Sequence, residues 1–354
     1  MTLDRLLLAF FLILGSPVCR AATQSVRNDS LDTRAAFLQL LDRPKVPLAP
    51  EVHEVSAPEG MKKLHFTVAA DAEQRVPGYF LIPAAKAVSG GRLPAVIVLH
   101  GTGGTKDSGD VRSTVERLAR AGIVGVAIDG RYHGERIKSG SGTADYNEAI
   151  VRTWKTGEGQ PFYYDTVWDV MRVIDYLETR DDIDPTRIGL IGFSKGGIET
   201  YLTAAADPRV AVAVPCIGVQ SFCWALDNGQ WKARIATIQE AFDIAAELAG
   251  EKKPGPEFVR RFYARVVPGI DGSFDGPAML PLIAPRPLLV INSDSDANTP
   301  LAGVRLAVAA AKPAYQAFHS EDKLVLRIQE NTPHRVNPES IEASIAWFVK
   351  WLRP

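Results

Sequence analysis

Short apolar segments that alternate with helical patterns constrain the fold of this chain more than any other feature. Segments of this kind are typical of strands that are buried on both faces of a sheet. Strands are therefore predicted at Ala95–Leu99, Ile123–Ile128, Ile188–Ile191, Val210–Val214, Pro287–Ile291 and Leu324–Ile328. Because helical patterns separate most of these strands, the sequence predicts an α/β fold, a mostly parallel sheet with helices on both faces.

The N-terminal residues 1–21 resemble a targeting segment rather than part of the fold. Arg5 precedes the apolar run Leu6–Gly15, and Cys19 and Ala21 are small residues at the two positions that the signal peptidase reads. This pattern predicts a secretory signal peptide that is cleaved after Ala21, and hence a secreted or periplasmic protein. The run is too short for a membrane span, so no stable span is expected after cleavage, with an uncleaved interfacial anchor as the alternative.

The remainder of the chain divides into an arm and one domain. Residues 22–60 are polar and contain several prolines, which predicts an N-terminal arm, and residues 61–354 form the α/β domain. That domain begins with a predicted hairpin of strands Leu64–Ala69 and Gly78–Ile82. Residues 221–282 are mainly helical and charged, and such a long interval predicts a cap-like insertion after the sixth predicted strand.

Charge and cysteine content narrow the classes of partner. The chain has 40 Lys and Arg against 41 Asp and Glu, without a basic stripe, which excludes nucleic acid as the expected partner and favours a small molecule or a carbohydrate. Two cysteines remain after signal removal, Cys216 and Cys223, and they either form a disulfide or stay as two free thiols. The sequence assigns no oligomeric state.

The pentapeptide Gly192-Phe193-Ser194-Lys195-Gly196 fits the pattern G-x-S-x-G. It follows a predicted strand and precedes a predicted helix, the context in which a sharp turn exposes a nucleophilic serine above the sheet. Ser194 is therefore the predicted nucleophile. The alternative is an ordinary glycine turn in which the serine caps the helix.

A nucleophilic serine needs a histidine base, and the base needs a carboxylate, in the chain order Ser, Asp or Glu, His. Only His319 and His334 follow Ser194, and His334 lies on the loop after the last predicted strand, so His334 is the predicted base. Two carboxylates, Asp294 and Asp296, compete for the role of the acid after the preceding strand.

The reaction of a nucleophilic serine also requires backbone N–H groups that stabilise the negative charge on the carbonyl oxygen of the substrate, the oxyanion. The residue after the nucleophile, Lys195, supplies one in this motif, and the glycine-rich loop after Ala95–Leu99 supplies another, with Thr102 the first choice and Gly103 the second. Arg131 is predicted either to brace loops beside the cleft or, together with Lys195, to attract an anionic part of the substrate.

Nucleotide and metal sites are not supported by the motifs. The segment HGTGGTK does not satisfy the phosphate-loop pattern G-x-x-x-x-G-K-[ST]. Asp129, His133 and Glu135 lie close in sequence, but no second cluster completes a metal site. No cofactor is expected.

Together, DIDPTRIGLIGFSKGG, VIVLHGTGG, LLVINSDSDANTP and the late histidine resemble the α/β-hydrolase superfamily. The branch that the chain resembles comprises the dienelactone hydrolases, acetyl xylan esterases and prolyl-oligopeptidase-like enzymes. The resemblance covers roughly residues 60–354. It implies a serine hydrolase with an acyl-enzyme intermediate, and the family's G-x-x-D pattern maps the acid to Asp296, with Ser293 in place of the glycine.

The leading hypothesis is an exported serine hydrolase that cleaves carboxylic esters of small molecules or carbohydrates. A small exported serine peptidase is the enzymatic alternative, and a catalytically silent binding module is the non-enzymatic one. The charged residues of the insertion predict short-acyl substrates without activation by a lipid interface. Trp224 and Trp231 are predicted either to wall the substrate pocket or to belong to the core.

Overall fold

A computed structural model describes residues 32–83, 91–139 and 143–353 of the protein. Within these ranges the strands form one sheet of nine members, in the order β1-β2-β3-β5-β4-β6-β7-β8-β9. The strands are β1 Glu51–Val55, β2 Met61–Ala69, β3 Arg75–Pro83, β4 Leu93–Leu99, β5 Val124–Ile128, β6 Ile183–Phe193, β7 Val210–Cys216, β8 Leu288–Ser293 and β9 Leu324–Gln329. Strands β4 to β9 pair in parallel, while β1, β2 and β3 extend one edge antiparallel.

Helices cover both faces of this sheet. They comprise α1 at residues 32–41, α2 Gly109–Arg120, α3 Ala144–Thr156, α4 Tyr164–Glu178, α5 Lys195–Ala206, α6 Phe222–Asp227, α7 Gln239–Leu248, α8 Pro256–Val266, α9 Gly276–Met279, α10 Leu301–Ala317 and α11 Pro338–Leu352. The mostly parallel α/β architecture predicted from the sequence is therefore confirmed.

The central strands are buried on both faces because successive side chains point to opposite sides. In β4, Ala95 and Ile97 pack into one core, with α4, α5 and α10, while Val96 and Val98 pack into a second core with α2 and α11. This double burial explains why the strands are short continuous apolar runs. The polar groups of the site then lie in the loops at the carboxyl ends of the parallel strands.

Two elements were missing from the sequence interpretation. Strand β1 lies within the predicted N-terminal arm and pairs antiparallel with β2, so the arm contributes an edge strand and the insertion follows the seventh strand, not the sixth. The sequence interpretation also left out helix α3. Residues Glu51–Val55 contain only two apolar side chains, Val52 and Val55, and four of the five residues are exposed, which gives them little apolar signal.

Some predictions concern features outside the core. The signal peptide at residues 1–21 lies outside the described residues. Among those that are described, the helices include none that combines the length and apolar character needed to cross a bilayer. Cys216 is buried and Cys223 is partly exposed, and both are free thiols, so the disulfide alternative is not realised.

Candidate active site

Ser194 occupies a sharp turn between β6 and α5. Its backbone has φ 55° and ψ −113°, a conformation that costs a residue with a Cβ on the order of 1–3 kcal/mol. The flanking glycines make this turn possible, because a Cβ at Gly192 would lie 2.2 Å from the carbonyl oxygen of Gly196. A Cβ at Gly196 would in turn lie 2.5 Å from the carbonyl oxygen of Leu99. The G-x-S-x-G pattern is therefore a requirement for close backbone packing.

His334 lies next to Ser194, although the two residues are far apart in sequence. The imidazole is on the loop between β9 and α11, and its Nε2 is 2.8 Å from the Ser194 Oγ. Its Nδ1 is 2.7 Å from the Asp296 Oδ2. The structure therefore brings the three predicted side chains into one hydrogen-bonded chain, with the geometry that a serine nucleophile, its base and an orienting acid require.

The two competing carboxylates have different surroundings. Asp296 is 4% exposed, and it also accepts hydrogen bonds from the backbone N–H groups of Asn298 and Thr299. Burial opposes its ionisation, but hydrogen bonds from His334 and Thr299 hold the pKa of Asp296 below its ordinary value. Asp294 is exposed and instead accepts from the backbone N–H groups of Asn331 and Thr332, on the loop that leads to His334.

The predicted oxyanion donors lie at the same cavity. Thr102 and Lys195 line a narrow space together with Ser194 and His334. Lys195 is the first residue of α5, where a backbone N–H has no partner within the helix. Gly103 has φ 74°, and of the two glycine-loop candidates only Thr102 is among the residues that line this space.

Three predicted substrate contacts are not where the sequence interpretation placed them. The Arg131 guanidinium is 2.9 Å from Asp169 and 2.6 Å from Asp71, and the residue does not line the cavity at Ser194. The Lys195 ammonium is 2.5 Å from Glu199, with both side chains buried. Two carboxylates pair with Arg131 and one pairs with Lys195, so of the two alternatives the geometry favours bracing of the loops by Arg131 over attraction of an anionic substrate by these two residues.

Trp224 is the third such residue. It is partly exposed on α6, and a Cβ at Gly303 of α10 would lie 3.4 Å from its ring. It is not among the residues that line the cavities at Ser194. Trp231 packs instead against Phe242 within the insertion, at a ring-centroid distance of 6.4 Å. Neither tryptophan lines these cavities; Trp231 packs against the core, as the second alternative predicts, whereas Trp224 is half-buried on α6.

The loop histidines brace the site from behind. His100 Nε2 accepts a hydrogen bond from the Gly130 N–H at 3.0 Å, and its Nδ1 contacts the Gly101 carbonyl oxygen at 2.7 Å. Burial and the nearby Lys195 lower the pKa of His100 to about 3, so the ring is neutral and can accept this bond. The described residues contain no cluster of three or more potential metal ligands.

An open cleft of about 370 Å³ leads to Ser194 and His334. The narrower cavity beside it shares Thr102, Ser194 and His334, and it continues between the sheet and the insertion. Sequence reasoning missed three polar residues that line this inner part: Tyr163, Gln220 and Arg234. No motif surrounds them, so only their position in the folded chain reveals them.

Comparison with known families decides the class of protein. The model of the family described as acetyl xylan esterase (AXE1) matches residues 38–224, more than half of the chain. The chain belongs to the acetyl xylan esterase (AXE1) family. A second model, described as glucuronyl esterase of fungi, matches residues 162–319. The acetyl-xylan-esterase part of the resemblance predicted from the motifs is thereby confirmed.

Individual relatives of this AXE1 family member are distant. It is 27% identical over 245 residues to the putative hydrolase YtaP of Bacillus subtilis (strain 168), covering 66% of this chain and 70% of the relative. It is 29% identical over 244 residues to the 4-O-methyl-glucuronoyl methylesterase of Hypocrea jecorina (strain QM6a), covering 62% of this chain and 50% of that enzyme. The chain thus spans half the length of this fungal relative.

Solved structures share the fold across nearly the whole chain. Acetyl xylan esterase 1 from Thermoanaerobacterium sp. JW/SL YS485 superposes with a TM-score of 0.65 at 18% identity, over 94% of this chain and 98% of that one. The glucuronoyl esterase from Solibacter usitatus superposes with a TM-score of 0.61 at 17% identity, over 91% of this chain and 92% of that one. The AXE1 family member has the α/β-hydrolase fold and is a carboxylic-ester hydrolase.

Proposed function

We propose that this esterase cleaves its substrate by way of an acyl-enzyme, with Ser194 as nucleophile, His334 as base and Asp296 as the orienting acid. The observation that carries the proposal is the continuous chain of hydrogen bonds from the Ser194 Oγ through His334 to Asp296. The His334 side chain is 24% exposed, and the residue lines the cleft, so the ring remains accessible from it.

In the acylation step, the Ser194 hydroxyl passes its proton to the His334 Nε2 as the Oγ attacks the ester carbonyl carbon. Asp296 holds the Nδ1 proton and stabilises the imidazolium that forms. The backbone N–H groups of Thr102 and Lys195 bind the carbonyl oxygen as it becomes an oxyanion. His334 then protonates the leaving alcohol, and the ester C–O bond breaks.

In the deacylation step, water enters from the cleft and gives a proton to His334 as it attacks the acyl carbon. The second tetrahedral intermediate breaks down to a carboxylic acid, and Ser194 recovers its proton from His334. The enzyme needs no cofactor for this cycle. The substrate class that we propose is a small-molecule or carbohydrate ester, which the printed names of the relatives support. We further propose that residues 1–21 direct export and are removed after Ala21.

The decisive experiment combines active-site labelling with turnover. A fluorophosphonate probe should label the wild-type protein and fail to label Ser194→Ala, whose turnover of 4-nitrophenyl acetate should fall by on the order of 10⁵–10⁶. Ser295→Ala, on the exposed loop beside Asp294, is the matched control and should retain labelling and turnover. Full labelling of Ser194→Ala would overturn the assignment.

The peptidase alternative is tested with a matched pair of substrates. The esterase proposal expects hydrolysis of 4-nitrophenyl acetate and little or no hydrolysis of 4-nitroacetanilide, in which an amide replaces the ester. A specificity constant for the anilide equal to or above that for the ester would favour a peptidase. Export is tested separately, because the intact mass of protein recovered outside the cytoplasm should correspond to a chain that begins at Ala22.

A further inference from the structure

Arg234 is a buried cation within the inner cavity. It ends the 3₁₀ helix Trp231–Arg234 of the insertion, is 6% exposed, and lines the same space as Ser194 and His334. Its position is held firmly, because the Tyr263 hydroxyl donates to its carbonyl oxygen and the next residue, Ile235, is buried. The guanidinium is therefore built into the wall of the cavity.

This guanidinium has no counter-ion in the part of the chain that the structure describes. No carboxylate there lies within ion-pair distance of Arg234, and its buried Nε has no hydrogen-bond partner. The carbon of its guanidinium lies 5.5 Å from the Phe222 ring centroid, which supplies a weaker contact than a carboxylate. Lys195 at the same cavity differs, because Glu199 pairs with it.

A second polar group at the cavity also lacks a partner. Gln220 is 2% exposed and lines the same space, and its buried Oε1 accepts no hydrogen bond within the described ranges. Native proteins rarely leave such groups unsatisfied, so an exception at a cavity marks a place where an ordered water or a polar group of a ligand can bind. An amide oxygen suits a hydroxyl donor, while a guanidinium suits an anion.

The charge of Arg234 decides which ligand fits. Burial lowers the pKa of Arg234, but an arginine side chain stays protonated in proteins. A buried charge without an ion-pair partner is unfavourable, and Asp296 acts on Arg234 only from beyond ion-pair distance. A hydroxyl group would satisfy a donor without neutralising that charge. A carboxylate does both, and its two oxygens match the planar donor fork of the guanidinium. A free carboxylate is thus the group that best completes this site.

We propose that Arg234 binds a free carboxylate on the substrate, separate from the ester that is cleaved, so that the enzyme selects anionic esters. This inference rests on the proposed function, because the carboxylate is bound beside Ser194. Gln220 accepts a hydrogen bond from a hydroxyl group of the same substrate. The substrate class is therefore an ester that also bears a carboxylic acid and a hydroxyl group. Arg234 acts in binding and specificity.

Matched pairs of substrates test the selectivity and locate the carboxylate. One pair places the charge in the acyl part, mono-4-nitrophenyl glutarate against 4-nitrophenyl pentanoate. The other places it in the alcohol part, 4-carboxyphenyl acetate against phenyl acetate. The wild-type enzyme should have the higher kcat/KM for the anionic member of at least one pair. A preference for the neutral member in both pairs, or no preference, would overturn the proposal.

Variants connect that preference to Arg234. In Arg234→Gln the ratio of kcat/KM for the anionic ester to that for the neutral ester should fall by about 10–100-fold, mainly through KM, as expected for a lost hydrogen bond to a charged group. Lys232→Gln is the matched control, because Lys232 is an exposed cation on the same 3₁₀ helix. Its ratio should change by less than about threefold. Equal losses on both esters in Arg234→Gln would assign Arg234 to the oxyanion or to folding and overturn the proposal.

A binding measurement separates this inference from the proposed mechanism. The Ser194→Ala variant should not turn substrate over, so calorimetry should detect its binding of the preferred anionic ester. Adding Arg234→Gln should raise the Kd for that ester by about 10-fold or more. If Ser194→Ala keeps its turnover, the proposed mechanism is wrong. The ratio of kcat/KM for the anionic ester to that for the neutral ester still tests the role of Arg234 in that case. If Kd is the same with and without Arg234→Gln, the carboxylate site fails while the mechanism stands.

Discussion

Two carboxylates that are two positions apart, Asp294 and Asp296, show how surroundings decide the role of a residue. Asp296 is buried and has one oxygen against His334, whereas Asp294 is exposed and accepts backbone N–H groups from the next loop. Only Asp296 is placed to hold the His334 imidazole in one tautomer. Asp294 has a different use, because it fixes the start of the loop that carries His334.

Replacing each carboxylate should therefore have very different effects. Asp296→Asn should reduce kcat on the order of 10⁴-fold, because the amide favours the wrong tautomer of His334, as in the serine-protease case. Asp294→Asn should reduce it by less than about 10-fold. Steady-state kinetics on 4-nitrophenyl acetate measures both. A severe loss in Asp294→Asn with a mild one in Asp296→Asn would reverse the assignment.

The buried ion pair between Lys195 and Glu199 contributes to the stability of the fold, in contrast to Asp296, whose proposed role is catalytic. Both side chains are less than 3% exposed, and burial raises the pKa of Glu199 while the ammonium opposes that rise. Glu199→Gln should lower the free energy of unfolding by about 3–5 kcal/mol, because it leaves the ammonium buried without a counter-ion. Urea denaturation measures this loss.

The double variant Lys195→Met/Glu199→Leu is the informative partner of that experiment, because an apolar pair of similar volume should recover most of the stability. Glu251→Gln is the control, since it removes a more exposed pair with Arg261 and should cost only about 0–1 kcal/mol. A double variant as unstable as Glu199→Gln would show that packing, and not the unpaired charge, determines the loss.

At the scale of elements, Asp275 joins the two ends of the insertion. Its carboxylate accepts hydrogen bonds from the Ser221 hydroxyl at 2.7 Å and from the Phe222 N–H at 2.8 Å, at the start of α6. It also caps α9 through the Gly276 N–H. One buried side chain thus satisfies the beginnings of two helices, which neither helix could do for itself.

Asp275→Ala should therefore destabilise the insertion. Removing the carboxylate leaves the N–H groups of Phe222 and Gly276 without their acceptor, at a cost of about 2–4 kcal/mol. Hydrogen exchange should accelerate within residues 221–282 more than in the central strands. Asp271→Ala, in the same segment but joined to Arg260 through a longer contact of 3.3 Å, is the control and should have a smaller effect. Uniform acceleration over the whole chain would contradict a local role.

The pattern of apolar residues in the sequence predicts the strands that are buried on both faces, but it does not predict an exposed strand such as β1. Strands β4 to β9 were predictable because their side chains are apolar in succession, and Ser194 and His334 because loops after parallel strands meet. Strand β1 was not predicted because three of its five residues are polar and four of the five are exposed. Arg234 escaped because the burial of one arginine depends on contacts such as Tyr263, which no local pattern encodes.

For the molecule as a whole, two buried histidines couple stability to pH. Burial and Lys195 lower the pKa of His100 to about 3, and the same effects lower that of His133 to about 2. The unfolded chain binds protons at both below pH 6.5, while the folded protein does not. Stability is therefore full above pH 6.5 and falls as the pH falls below it.

Each histidine should contribute a slope of about 1.4 kcal/mol per pH unit between about pH 6 and pH 4. His133→Asn should remove one such contribution, because the amide does not titrate. Urea denaturation at a series of pH values tests this prediction, and an equal slope in His133→Asn and wild type would contradict it.

The surface of the insertion bears on substrate size. Four of its apolar side chains are buried, Ile235, Ile238, Phe242 and Ala245, whereas Ala249, one helical turn after Ala245, is exposed. Of the larger apolar residues on α7, Ile244 and Leu248 remain exposed, at 36% and 54%. Two such residues make a small patch compared with the face that binds a lipid surface.

We therefore expect the enzyme to favour acetyl over longer acyl chains. In a compact pocket each added methylene changes discrimination by about 1–3 kcal/mol, so kcat/KM should fall stepwise from acetyl to palmitoyl esters. Measurement below and above the micelle threshold completes the test. Highest activity on palmitoyl esters with a jump at that threshold would indicate a lipase instead.

The hydrogen bond between Ser221 and Asp275 has a consequence for how such an enzyme can change over time. The chain leaves the sheet after β7 and returns before β8 at neighbouring points, so the segment between them can lengthen, shorten or be exchanged without separating those strands. The proposed catalytic residues Ser194, Asp296 and His334 lie outside that segment, and Arg234 lies inside it. New preferences for substrate can thus evolve within one exchangeable module while the chemistry is inherited unchanged.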